Sequence, residues 1–284
     1  MKERAYSLGY YAVAFLDVLG QREKFRKLKM PSTPEDRADV AQVLQETAGF
    51  VVEMRESFRK QFESFEAGIS KEKLHITVSV QPRFVGFSDS FVMSVPLRAD
   101  HGDLAPIVTI FSTLWAASVS ALTALASKHP FRGGIDVGLA TEIGTGEIYG
   151  TALERAYLLE CGRAAYPRIV IGSEMWKFLT LAVAEFEKQG SGTGGGANAV
   201  LQEMAKMVAT DSDGEKILDY LGSFSAKMIS QSEAGTIVKP AYDFVVAEER
   251  RLLSGGDSKL APRYALLRRY FELHLSQWGL EPHI

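Results

Sequence analysis

The chain has a single cysteine, Cys161, in 284 residues. It can neither close an internal disulfide nor supply a thiolate zinc cluster, so a disulfide-stapled secreted scaffold is excluded and a reducing cytoplasm is the expected compartment. An excess of positive charge is also missing. Lys and Arg number 32 against 35 Asp and Glu, a formal net charge of −3, and no Lys/Arg-rich run of the kind that grips phosphate backbones occurs. A nucleic-acid partner is therefore not expected. The histidines, His75, His101, His129, His274 and His283, show none of the spacings that build a metal site. Asp17 interrupts the apolar N-terminal stretch and no small-residue cleavage pattern follows it, so no export signal is expected.

Long uncharged stretches are scarce, with one exception. Leu104 to Ser127 carries no charged residue over 24 positions, enough to span a bilayer on length alone. Thr109, Ser112, Thr113, Ser120, Thr123 and Ser127 recur at helical spacing opposite Ile110, Phe111, Leu114, Val119, Leu122 and Leu125. That periodicity predicts a buried amphipathic helix and no membrane partner.

What is present is an ordinary globular composition, 46% hydrophobic and 24% charged. Tyr10 to Val18 reads as a buried strand closed by Gly20. Pro34 to about Phe65 has helical periodicity, with Pro34 and Glu35 suited to the first turn and Gly68 to the end. Ile76 to Val80 and Arg83 to Val95 predict a hairpin around Gly86 and Ser88-Asp89-Ser90. After the Ser/Thr-striped helix, Phe131 to Leu139 is a strand, Thr151 to Ala164 a helix and Arg168 to Ile171 a short strand. A further helix runs from Ser173, a plausible N-cap, through Lys188. This order predicts an α+β fold on the ferredoxin-like βαββαβ plan, with an extra helix and strand.

Gly190 to Gly196 (GSGTGGG) is linker-like and lacks the Lys-Ser/Thr of a phosphate loop. The expected division is a core over 1–188 and a glycine-rich linker with a mainly helical C-terminal extension over 189–284, packed on the core or at an interface. The DSDG at 211–214 is a turn, too short for a calcium loop. Cys161, with no histidine beside it in sequence, reads as a small core residue.

Two passages place an aspartate at the end of an apolar strand beside turn residues: FLDVLG with Asp17, and FSDSF with Asp89. A carboxylate there is poorly solvated unless a cation meets it. In a βαββ arrangement the first strand and the hairpin are neighbours, and two such carboxylates repel unless they share a metal. Magnesium suits the pair, since one or two carboxylates with waters and phosphates complete its octahedron. The amides of Leu19, Gly20 and Gln21 would then meet phosphate oxygens. The plainer alternative, turn or cap residues, stays open.

The passages AFLDVLGQ, VGFSDSFVMS and FRGGIDVGLATEIGTGEIYGTALERAYLLECGRAAYPRIVIG, between Tyr10 and Gly172, resemble in order the signature blocks of class III nucleotide cyclases. Within that family, YGTALERAYLLE followed by AAYPRIVIG is similar to the pyrimidine cyclases of the bacterial Pycsar anti-phage system. The resemblance implies a class III core that converts UTP or CTP to the 3′,5′-cyclic monophosphate and pyrophosphate. It implies Asp17 and Asp89, with the Val18 carbonyl, as ligands to two Mg²⁺ or Mn²⁺ ions. It also implies a homodimer with composite sites and, as partner, a separate effector protein that responds to the cyclic nucleotide.

The departures from the family pattern concern the base and the transition state. Where purine cyclases carry a base-reading Lys or Glu, this chain has Val85, and their second base-reading position is Glu147. The family's transition-state asparagine and arginine fall on Glu154 and Leu158. Either the pocket is rebuilt for a smaller base, with Glu147 accepting from it and Glu154 nearby, or catalysis is lost. A purine cyclase and a degenerate nucleotide-binding dimerisation module are the alternatives. Arg155, with Arg163 and Arg83 behind it, is the expected cation for charge on the phosphates; a solvent-facing helix arginine is the bland alternative.

Overall fold

The computed structural model describes residues 6–69, 80–98, 104–143, 146–188, 201–229 and 231–283. Strand β1 (Gly9–Val18) is apolar along nearly its whole length because both its faces are covered. Helices α1 (Gln21–Arg26), α2 (Pro34–Leu44) and α3 (Phe50–Ile69) follow it. Thr33 and Asp36 form a reciprocal capping box ahead of Pro34. A π turn at Gln45–Gly49, where Thr47 Oγ1 donates to Val43 O at 2.6 Å, joins α2 to α3, so the expected long helix forms in two pieces.

The hairpin is β2 (Arg83–Phe87) and β3 (Ser90–Pro96), turning at Ser88, which has a φ of 56°. It forms within the second of the two runs expected to make it; Ile76 to Ser79 lies outside the described residues. Then come α4 (Ala105–Ala126), β4 (Phe131–Glu142), β5 (Ile148–Gly150), α5 (Thr151–Arg163), β6 (Ile169–Ile171) and α6 (Ser173–Lys188). The strand order β2-β3-β1-β4 with antiparallel neighbours is the ferredoxin-like sheet. Beyond it β6 runs parallel to β4, and β7 (Val208–Thr210) and β8 (Lys216–Leu218) continue the same sheet in the order β6-β8-β7. The segment after the glycine-rich stretch therefore contributes strands to the sheet as well as helices Gln231–Ser254 and Ala261–Glu272.

Alternation along β1 splits the interior into two cores. Ala12, Ala14, Leu16 and Val18 face α3 and α4, where Phe58, Phe62, Phe111 and Leu114 are buried. Tyr11, Val13 and Phe15 face α5 with Ala152 and Ala156. Helix α5 lies close on the sheet because β4 carries Gly134 there: a Cβ at that position would sit 2.3 Å from Ala156 O.

Helix α4 is long and apolar enough by composition to cross a membrane, and here it lies inside the fold. It is not amphipathic. Thr109, Ser112, Thr113, Ser118 and Ser120 are buried with the rest, and Thr113, Ser118 and Thr123 turn their hydroxyls to carbonyls four residues back at 2.8–2.9 Å. Thr109, Ser112 and Ser120 have no hydrogen-bond partner among the described residues, so the stripe is covered by the fold although only part of it is bonded within the helix. Cys161 is exposed on α5, contrary to its expected place in the core.

The DSDG turn does not hold a cation from solution. Its Asp211 and Asp213 take the buried Arg168 guanidinium, Asp213 Oδ2 at 2.6 Å, and so tie the β7–β8 hairpin to β6. At the start of α6 the amide of Met175 donates to Asp136 Oδ1 at 2.7 Å, so a carboxylate from β4 takes the capping role expected of Ser173.

On α3, Glu66 is 6% exposed with one carboxyl oxygen unpartnered among the described residues. Burial, with Glu63 adding repulsion, pushes its pKa up to about 7. A carboxyl raised on folding contributes fully below its unfolded value, and that contribution is lost as pH rises through about 7. Thermal melts of Glu66→Gln and the parent chain should converge at pH 5 and separate at pH 8, with the variant higher. Parallel curves across that range would show that Glu66 does not titrate there.

Candidate active site

Asp17 is the penultimate residue of β1, level with Ser90 on β3 and Arg132 on β4. All three side chains belong to the face that α5 covers. Ser90 Oγ donates to Asp17 Oδ1 at 2.7 Å, and Arg132 Nη2 lies 3.7 Å from Oδ2. The same guanidinium reaches Glu160 of α5, with Nε 2.6 Å from Oε1, and the Glu160 side chain is 5% exposed. A carboxylate on the sheet and a second on the helix thus share one cation, which offsets the cost of desolvating them.

Asp89, 9% exposed, stands in the hairpin turn directly beside the end of β1, because the Val18 N–H donates to its carbonyl at 3.0 Å. It lines a cavity of about 400 Å³ with Gln21, Phe25, Thr47 and Val51. The backbones carrying the two aspartates are therefore hydrogen-bonded neighbours at one end of the sheet, although 72 positions separate them in the chain. Next in the chain is the phosphate turn expected from sequence. Contrary to the expectation, the Leu19 N–H is committed to Pro130 O at 2.8 Å and is not available to a phosphate. Gly20 adopts a φ of 82°, a left-handed conformation that suits glycine. Gln21 is buried, its Nε2 3.3 Å from His129 Nδ1. Burial, with Lys24 adding repulsion, pushes the His129 pKa below its usual value, so the ring is neutral at pH 7 and able to accept at Nδ1.

The residues expected to meet a base also come together. Val85, Glu147 and Glu154 line one cavity of about 820 Å³ on the α5 side of the sheet, with Phe15, Phe87 and Tyr157. Those rings cluster: Phe15 is 5.9 Å from Phe87 and 5.3 Å from Tyr157. Phe87, Tyr149 and Tyr157 of the cavity lining are exposed.

The expected phosphate cations are elsewhere. Arg155 turns to the β4 backbone and donates to Val137 O at 3.2 Å; Arg163 pairs with Glu215 and Arg83 with Glu142. Arg132 is the cation beside Asp17. Sequence reasoning passed over it, yet a signal was available: in FRGGID the arginine falls on the same strand face as Gly134 and two positions from it, so it projects past the edge of α5.

As a metal centre the donors have a definite character. Among the described residues no three His, Cys, Asp or Glu side chains converge as metal ligands. Asp17, with Arg132 and Ser90 already on it, and Asp89 are hard oxygen donors of the kind a magnesium-type ion takes, and two carboxylates leave most of its octahedron to other ligands.

No protein-family model matches the chain, and no curated protein does. Solved structures similar to it include a bacterial light-regulated adenylyl cyclase, 13% identical with a TM-score of 0.34, over 62% of this chain and 46% of that one. Another is the catalytic core of a rhodopsin-guanylyl cyclase with converted specificity in complex with ATPαS, 12% identical with a TM-score of 0.35, over 62% of this chain and 84% of that one. The aligned part is less than half of the first of these. Likeness at these values assigns no residue a role, and the α+β class rests on the strand order itself.

Replacing Arg132 by Ala leaves its two carboxylate contacts without their shared cation and should lower stability by about 3 kcal/mol. Arg155→Ala forfeits one hydrogen bond and should lose about 1 kcal/mol. Urea unfolding of the two variants checks the order, and equal losses would contradict the bridging role.

Proposed function

We propose that the chain is a metal-dependent nucleotidyl cyclase of the class III type that acts on a pyrimidine nucleoside triphosphate. The observation that carries this reading is that Asp17 and Asp89 stand on hydrogen-bonded neighbouring backbones at one sheet end, with the Leu19–Gln21 turn following, Arg132 beside Asp17, and the aromatic cavity holding Glu147 on the face Asp17 shares. Asp17 and Asp89, with the Val18 carbonyl, would hold the Mg²⁺ or Mn²⁺ ions. Such ions supply charge neutralisation and a lowered pKa for the ribose 3′-hydroxyl. In the reaction the 3′-oxygen bonds to the α-phosphorus, the bond to the bridging oxygen breaks, pyrophosphate departs, and the hydroxyl proton passes to water.

The chain's own residues orient this step. Ser90 fixes the Asp17 carboxylate, and Arg132 faces the negative charge that develops on the phosphates. Phe87 and Tyr157 offer ring faces for stacking, while Glu147 accepts from an uracil N–H or a cytosine amino group. Val85 supplies no polar group to read a purine edge, which favours the smaller base. A cavity of about 820 Å³ also admits a purine, so adenylyl or guanylyl cyclisation is the second reading.

Incubation with Mn²⁺ and each of ATP, GTP, CTP and UTP, with products identified by mass spectrometry, tests both. Cyclic UMP or cyclic CMP supports the first reading and a cyclic purine nucleotide the second. Asp17→Ala should lower turnover at least about a hundredfold, since charge stabilisation of this kind accounts for that order of rate, while leaving the fold intact by circular dichroism. Full activity in that variant would refute the role of Asp17.

The exposed apolar fringe of the cavity fits a second copy of the chain, which would complete each site across a homodimer interface. Tyr149 is 70% exposed there. Tyr149→Lys should shift sedimentation from dimer to monomer and depress turnover together; a parent chain that sediments as a monomer under assay conditions would rule the interface out. The cyclic product would act on a separate effector protein, as in a cytoplasmic anti-phage signalling pair.

A further inference from the structure

The C-terminal helices close the sheet end where Asp17 lies. Between them and the β1–α1 turn is a cavity of about 580 Å³, walled by Leu19, Gly20, Gln21 and Arg132 on one side and by Arg251 and Arg263 on the other. Arg132 therefore belongs to both places, touching Asp17 at 3.7 Å and lining this cavity. Lys24 and Lys128 reach it too.

The acids of the cavity are already engaged. Glu248 Oε2 accepts from Arg251 Nε at 2.9 Å. Asp257 Oδ1 accepts the amides of Lys259 and Leu260 at 3.0 and 2.8 Å, ahead of helix Ala261–Glu272. Lys24 pairs with Glu46 at 3.2 Å. Arg263, half-buried, and Lys128 have no ion pair among the described residues, so the cavity holds positive charge without an internal partner. Lys128 is kept at a φ of 64°, a conformation a glycine would take without strain. In the wall Gln21 is 2% exposed and its Oε1 has no partner among the described residues. That oxygen is an acceptor, so the partner it lacks is a donor such as a water that also hydrogen-bonds a phosphate, and no phosphate oxygen meets it directly.

We infer that this cavity receives the polyphosphate tail of the substrate, and afterwards the pyrophosphate, with Arg263 of the C-terminal segment as its outermost phosphate contact. The inference rests on the cyclase reading and extends it. Phosphate oxygens are the ligand chemistry that Arg132, Arg263 and Lys128 around one cavity favour, since guanidinium groups meet them with paired N–H donors. The C-terminal segment then belongs to the site as well as to the scaffold, and its docking fixes where the leaving group goes.

Inorganic tripolyphosphate, titrated calorimetrically into the full chain, is the probe. Arg263→Gln should weaken its binding about tenfold. Arg269→Gln, on the same helix but exposed and outside the cavity, should leave it unchanged. Lys128→Asn, on a different element, should weaken it about threefold by removing one exposed charge and serves if Arg263→Gln does not fold. With substrate, Arg263→Gln should raise KM more than it lowers kcat. Equal tripolyphosphate affinity in the parent and both cavity variants, or no binding to the parent, overturns the inference. If no triphosphate is cyclised while tripolyphosphate binding still depends on Arg263, the cyclase reading fails and the polyphosphate cavity stands.

Discussion

Arg132 lies between Asp17 on the first strand and Glu160 on α5, and much of the candidate site depends on that bridge. A carboxylate at a strand end under a helix is costly to desolvate, and an arginine is a cation that serves two acids without losing its proton. The helix it holds is the one whose N-terminal turn carries Glu154 and whose outer face carries Tyr157. Gly134, directly beneath α5, lets helix and sheet approach closely enough for Arg132 to reach both partners. Packing and electrostatics are therefore coupled at one point, and moving α5 outward would separate the bridge and open the aromatic cavity together.

The opposite face of the sheet obeys a different constraint. It is covered by α4, which carries no charge and is buried on nearly all sides because α3 and the long C-terminal helix enclose it. That enclosure requires the segment after residue 200, and β7 and β8 bring the segment back into the sheet while Arg168 ties their turn to β6. The C-terminal third of the chain is thus bound to the core through strand pairing, a buried ion pair and helix packing. Such a segment holds a residue at the sheet end with little freedom, which is the condition an arginine needs to act on phosphate.

Much of the fold was legible in the sequence because its periodicities were clean. Tyr10–Val18, Phe131–Leu139, Thr151–Ala164 and Ser173–Lys188 appear within a few residues of their expected bounds, and from them the ferredoxin-like order follows. What failed was information that periodicity does not contain. The hydroxyl stripe of α4 looked like a wet face, but Thr113 and Thr123 bond to the preceding turn and Thr109, Ser112 and Ser120 are buried with no hydrogen-bond partner among the described residues, so spacing does not separate a covered helix from an amphipathic one. Cys161 looked like a core residue by type and is exposed. At the candidate site, Asp17 and Asp89 drew attention because strand-end aspartates stand out locally, and the structure sets their backbones side by side, while Val85, Glu147 and Glu154 share a cavity. Arg155, with Arg163 and Arg83 behind it, was the expected cation and Arg132 was not considered, because an arginine's direction from a strand depends on register with two neighbours, which the sequence does not show.

Asp136 shows why residue type alone does not separate scaffold from chemistry. Like Asp17 it is an aspartate on a central strand, on the face that looks toward α5, and it is more deeply buried. Burial raises its pKa, but two backbone amides, those of Val137 and Met175, donate to one of its oxygens and Gly172 packs against the carboxyl group. Its bonding is satisfied from within the fold, and its position over the start of α6 explains it completely as a helix cap. Asp17 differs in what surrounds it. Its partners are side chains, a serine and an arginine, the arginine continuing into an open cavity, and the backbone beside it is bonded to the turn that carries Asp89. Side-chain partners can reorganise when a ligand arrives, whereas backbone amides at a helix start cannot. Of two aspartates on neighbouring strands, the one whose environment is able to exchange partners is therefore the one available for chemistry.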